Sequence, residues 1–139
     1  AFDADIISLG QKAVEEKMAE LEAKDKREGK EEELYVVLQL AWEMYIRGFT
    51  CLKVDLYRSK ADRFTMLPEE NAILPPFTAL GGLGSVDAHS LEEERENGEY
   101  SSVENMKKRT GITKTSVEAL RNHGCLDGMD ESDQLSLFG

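Results

Sequence analysis

Residues 80–88 read Leu-Gly-Gly-Leu-Gly-Ser-Val-Asp-Ala, and residues 110–116 read Thr-Gly-Ile-Thr-Lys-Thr-Ser. The first stretch is a glycine–apolar–glycine bend entering a helix. Gly82 and Gly84 permit positive φ and the close approach of another backbone. The N–H groups opening the helix have no partner within it. With Ser85 they form a small cradle for an anion such as a backbone phosphate, and Leu83 anchors the bend in the core. Taken alone, the bend reads first as a tight connection between helices that holds no ligand. The second stretch answers it 29 residues later (111 − 82). Gly111 stands for Gly82 and Ile112 for Leu83, while Thr113 replaces the second glycine and leads into Lys114.

Two bends at this spacing, each between helical runs, resemble a tandem helix-hairpin-helix module, which binds duplex DNA by its backbone without reading sequence. Thr113 departs from the glycine usual there, and Thr113 or Thr115 is expected to cap the helix that follows. Local charge favours the second unit. Residues 101–124 carry Lys107, Lys108, Arg109, Lys114 and Arg121 against Glu104 and Glu118, a balance of 5 − 2 = +3. Lys107 and Lys114 are the candidate phosphate contacts. The helix after the first bend carries Glu92, Glu93, Glu94, Glu96 and Glu99, expected to face away from DNA. Ser101-x-x-Glu104 predicts a capping box for a helix running to about Thr110. Val117 and Leu120 point inward on the next helix, which stops at Gly124.

Upstream, residues 11–28 place Val14, Met18 and Leu21 at helical spacing, with Gly29 as the stop. Residues 31–47 carry the stripe Leu34, Val37, Leu38, Ala41 and Tyr45, widened by Trp42 and Met44. These predict an antiparallel helical hairpin. Leu52, Val54 and Leu56 alternate with polar residues in a short strand, for which residues 63–67 are the expected partner. Pro68 and Pro75–Pro76 bound a loop-rich region.

The chain ends in an acidic stretch without periodicity, expected to be a flexible tail. It carries Gln134-Leu135-Ser136-Leu137-Phe138, similar to the pentapeptide by which bacterial polymerases and repair proteins bind the sliding clamp. Each apolar side chain gains about 1.5–3 kcal/mol on entering a pocket. Ordering a loose peptide takes back several kcal/mol, leaving a roughly micromolar contact that becomes effective when tethered.

The stretches LYVVLQLAWEMYIRGF, VDLYRS, AILPPFTALGGLG, HGCL and QLSLF together resemble the C-terminal part of the PolC-type DNA polymerase III alpha subunit along essentially the whole chain. The resemblance implies a mainly α chain with three parts. Residues 1–72 form a fingers-like helical hairpin plus short strands. Residues 73–128 form the tandem hairpin domain, and residues 129–139 the clamp-binding tail. It implies duplex DNA, the sliding clamp and the remainder of the polymerase as partners. It further implies a parent that extends primers using magnesium and carries 3′–5′ exonuclease activity. No palm or exonuclease carboxylate motif is present, so no catalytic residue, metal ligand or cofactor is assigned to this segment. Arg58 and Lys60 are possible contacts to nucleotide or template. The other reading is a non-catalytic repair or scaffold protein that uses the same module and clamp peptide.

The formal net charge of −11 argues in bulk against a nucleic-acid binder, so any such contact rests on local charge. No apolar run is long enough for a membrane span. Cys51 and Cys125 lack metal or disulfide spacing, consistent with a reduced cytoplasmic protein. His89 and His123 stand alone; His123 reads as a partner for a helix C-terminal dipole. With no initiator Met, Ala1 is expected to lie inside a longer gene product or to follow a removed Met.

Overall fold

The structure is a computed structural model describing residues 2–133. Helix α1 (Ala4–Ile7) opens with Asp3, whose carboxylate accepts from the Ile6 N–H at 3.2 Å. Helices α2 (Gln11–Glu22) and α3 (Gly29–Ile46) follow as the expected hairpin. They run antiparallel: Trp42 Nε1 donates to Glu15 near one end, and the Tyr35 hydroxyl to Glu22 near the other. Val14 and Leu21 bury against Leu38 and Ala41, with Leu34 and Trp42 packed at the edge. Full burial of each such leucine stabilises by about 1.5–3 kcal/mol.

The helix boundary is corrected. Helix α2 ends at Glu22, and Gly29 opens α3 instead of closing α2. The Glu31 carboxylate reaches back to accept from the Glu28 N–H at 3.0 Å, which starts α3 before its apolar stripe begins. Arg27 holds the intervening turn through Glu32 at 2.6 Å and lies over the Tyr35 ring at 4.4 Å.

Strands β1 (Thr50–Cys51), β2 (Thr65–Leu67) and β3 (Ala72–Leu74) form a sheet of order β1-β3-β2. The expected pairing of the first two strands is overturned, since both pair with β3, β1 in parallel and β2 antiparallel. Asn71, at φ 50°, reverses the chain between β2 and β3. The first strand is also shorter than expected. The Asp55 carboxylate accepts from the N–H groups of Tyr57 and Arg58 at 2.8 and 3.0 Å, turning the backbone. The alternation of residues 52–56 reflects burial of Val54 and Leu56 in a second core, not a pleated ladder.

That second core gathers Val54, Leu56, Phe77, Leu83, Ile112 and Leu120 among others. It is built around α4 (Ser85–Glu94), α5 (Val103–Thr110) and α6 (Lys114–His123). A 3₁₀ turn at Phe77–Ala79 precedes α4, so the first hairpin enters its bend from a single short turn. Ser102, not Ser101, caps α5, accepting from the Asn105 N–H at 2.9 Å. The next two orphan amides of α5, from Val103 and Glu104, donate to the carbonyls of Asp130 and Glu131 at 2.8 and 3.0 Å. The expected free tail is therefore held against α5 over its first described residues. His123 does more than face a helix end. Buried, it accepts at Nε2 from the Val54 N–H at 3.0 Å and donates from Nδ1 to Asp5 at 2.7 Å, tying α6 to α1 and to the segment after β1.

Candidate nucleic-acid interface

Leu83 and Ile112 are buried at 4% and 3% exposure, and the residues flanking each are exposed. The apolar centre of each bend fixes it to the core while its main chain faces solvent. Gly82 has φ +90°, and a Cβ there would lie 3.3 Å from Thr115 Cγ2, so the second unit packs against the first bend. Gly84 is different. Its φ of −84° suits any residue, and a Cβ would meet open space. The fold does not require glycine there. Glycine instead leaves the start of α4 without a side-chain cap. No acceptor among the described residues takes the N–H groups of Ser85, Val86 or Asp87. An uncapped first turn with the positive end of the helix dipole behind it suits an anion.

The second bend is built otherwise. Gly111 caps α5 in the left-handed conformation at φ 70°. Thr113 caps α6, its Oγ1 accepting from the Ser116 N–H at 3.2 Å. The Thr113 N–H, one of the donors expected to face phosphate, is taken internally by Asp87 Oδ2 at 3.1 Å. The same oxygen accepts from the Ser116 hydroxyl at 2.5 Å and lies 3.2 Å from Thr113 Oγ1. Burial pushes the Asp87 carboxyl up, but hydrogen bonds from Ser116 and from the amide and hydroxyl of Thr113 outweigh it. They hold the carboxyl below the usual range. The N–H groups of Lys114 and Thr115 have no acceptor among the described residues.

Of the cations counted around the second bend, Lys107 and Lys114 are exposed and paired with no carboxylate among the described residues. Lys108 pairs with Glu104 at 3.6 Å. Arg109 is turned inward, with its guanidinium 4.5 Å from the Tyr100 ring centroid. It binds Glu94 and donates to the carbonyls of Glu94, Gly98 and Glu99. Arg121 pairs with Glu118 and Glu131. Within the acidic run, Glu92 accepts from the Ala61 N–H at 3.3 Å, and Glu94 holds Arg109. Glu92 lies about 10 Å along the axis from the start of α4, away from its amides.

A helix-hairpin-helix motif family matches residues 48–135. The chain belongs to the helix-hairpin-helix family. Among its relatives, DNA polymerase III PolC-type of Clostridium perfringens is 48% identical over 139 residues, covering 99% of this chain and 10% of the relative. The proteins of the same name from Caldanaerobacter subterraneus and Bacillus subtilis are 43% and 41% identical, each again covering 99% of this chain and 10% of the relative. The helix-hairpin-helix chain is thus similar, nearly end to end, to a segment of PolC-type polymerases one tenth of their length.

The remaining candidates are dispersed. Arg58 is exposed and pairs with Glu70 at 3.2 Å, away from both bends in its contacts. Lys60 is exposed beside a hollow lined by Asp62, Arg63, His89 and Glu92. Gln134, Leu135, Ser136, Leu137 and Phe138 lie outside the described residues. Burial pushes the Cys51 and Cys125 thiols up to about 12, which leaves them protonated at neutral pH. The described residues contain no cluster suited to a metal ion and no helix long and apolar enough to cross a membrane. Sequence reasoning missed Asp87 and Ser116. The signal was present, since the offset that maps Gly82 onto Gly111 also maps Asp87 onto Ser116.

Proposed function

We propose that this chain is a segment of a replicative DNA polymerase that holds duplex DNA by its backbone and docks on the sliding clamp. The observation that carries the duplex reading is the start of α4. Its amides open at an exposed glycine bend with neither a side-chain cap nor an acceptor among the described residues, in a chain of the helix-hairpin-helix family. In this reading Gly82, Leu83, Gly84 and Ser85 present one phosphate site through main-chain N–H groups. Gly111, Ile112 and Thr113 shape the second bend, where the amides of Lys114 and Thr115 and the charges of Lys107 and Lys114 meet the backbone. Contacts of this kind fix register and carry no base information.

Identity of 48% along nearly the whole chain favours the polymerase over a repair scaffold built on the same module. The parent then extends primers with magnesium, and the polymerising and exonuclease carboxylates belong to the rest of that chain. The outer face of α3, with Val36 and Leu40 exposed at 49% and 68%, packs on the same remainder. Arg58 and Lys60 are its candidates for contact with nucleotide or template. The peptide Gln134–Phe138 supplies the clamp contact, in the cytoplasm where replication proceeds. The test is duplex binding against salt. Affinity falls linearly on a log–log plot and equally for unrelated sequences if the backbone is what is held; absence of duplex binding at low salt refutes the reading.

A further inference from the structure

The two hairpins start their second helices side by side, as the contact between the Gly82 position and Thr115 shows. Each helix N-terminus carries roughly half a positive charge, so bringing two together on one surface is repulsive. Asp87 sits between them. It is the third residue of α4, and its Oδ2 takes the Thr113 amide and the Ser116 hydroxyl of α6. Asp87 and Ser116 are also the equivalent residues of the two units. One carboxylate facing one hydroxyl joins the halves, where two acids would repel and two hydroxyls would leave both dipoles uncompensated.

We infer that Asp87 is a positioning residue for duplex binding, fixing the separation and tilt of the two hairpins so that both meet the backbone together. This rests on the duplex reading above. A carboxylate near a phosphate site also admits the opposite role, an internal phosphate mimic that blocks the second hairpin. The geometry favours the clasp. Ser116, its shortest partner, is 1% exposed, so the bonded oxygen is drawn inward. The outward amides of Lys114 and Thr115 are left without an acceptor among the described residues.

The test compares Asp87→Ala with Asp87→Asn in the 139-residue chain, by fluorescence anisotropy on a duplex of arbitrary sequence. Simple charge removal near DNA tightens binding in both. The clasp predicts that Asp87→Ala weakens binding on the order of tenfold although it deletes a negative charge. Asp87→Asn, which keeps an acceptor oxygen for Thr113 and Ser116, recovers most of that loss. The salt slope stays that of the wild type in both, because no phosphate contact is removed. Binding by Asp87→Ala as tight as wild type overturns the inference, as does an Asp87→Asn that falls equally far. If the wild-type chain binds no duplex, the function reading fails. The clasp is then read from hydrogen exchange of the Thr113 amide, which accelerates in Asp87→Ala and not in Asp87→Asn; unchanged exchange sinks it.

Discussion

Neutralising Lys107 and Lys114 together isolates the electrostatic part of duplex binding. Both are exposed and free of carboxylates among the described residues, whereas Lys108, Arg109 and Arg121 are engaged by Glu104, Glu94, Glu118 and Glu131. Main-chain amides contribute hydrogen bonds but release no counterions through a side-chain charge. Two free lysines therefore account for a log–log salt slope of about 1.8, at 0.9 per neutralised phosphate. Between 50 and 200 mM salt the wild-type chain should lose about twelvefold more affinity than Lys107→Ala/Lys114→Ala, since a fourfold salt change raised to 1.8 gives that factor. Anisotropy titrations at several salt concentrations, on duplexes of unrelated sequence, read the slope directly. An unchanged slope in the double variant, or an equal loss of slope from Arg121→Ala, refutes the assignment of free and engaged cations. A loss confined to one duplex sequence refutes backbone recognition itself.

Three further outcomes are expected. Leu137→Ala/Phe138→Ala should reduce a roughly micromolar clamp contact to background in surface plasmon resonance while circular dichroism is unchanged. His123→Ala should lower unfolding free energy by about 2–4 kcal/mol in urea, because two hydrogen bonds are lost and the Val54 N–H is left buried without an acceptor. The Asp87 carboxyl is held below its ordinary value of 3.8 in the folded chain. Its stabilisation is fully present above that value and is lost as pH falls through the lowered one. Urea midpoints taken from pH 5 down to about pH 2 should fall less steeply in Asp87→Asn than in the wild type.

The parts of the fold set by local pattern were legible. The stripe Leu34–Leu38–Ala41 names the buried face of α3, and Val117 with Leu120 names that of α6. Thr113 and Gly124 bound α6 as cap chemistry dictates. The misread parts depend on partners distant in sequence. Strand β3 is three residues followed by prolines, and only β1 and β2 on either side make it a strand. Gly29 has the composition of a stop, but the Glu28–Glu31 contact makes it a beginning. At the interface, the buried anchors Leu83 and Ile112 were readable because an apolar residue between turn residues has nowhere else to go. Arg109 was not. It counts as a surface charge until the ring of Tyr100 and the carbonyls of the preceding loop surround it. Asp87 has the local setting of an ordinary first-turn acid, and only the juxtaposition of α4 and α6 brings Thr113 and Ser116 to its Oδ2.

The link from His123 to Asp5 has a consequence for biosynthesis. Its two ends are separated by 118 positions, so the earlier one leaves the ribosome long before the later one exists. At 5–20 residues per second that interval is about 6–24 s. Through it α1 has its contacts with α2 and α3, among them the Tyr45 hydroxyl on the Ile7 carbonyl, but not the His123 tie, and the Val54 amide lacks its His123 acceptor. The His123 tie between the N-terminal part and the hairpins therefore cannot form until α6 has been translated.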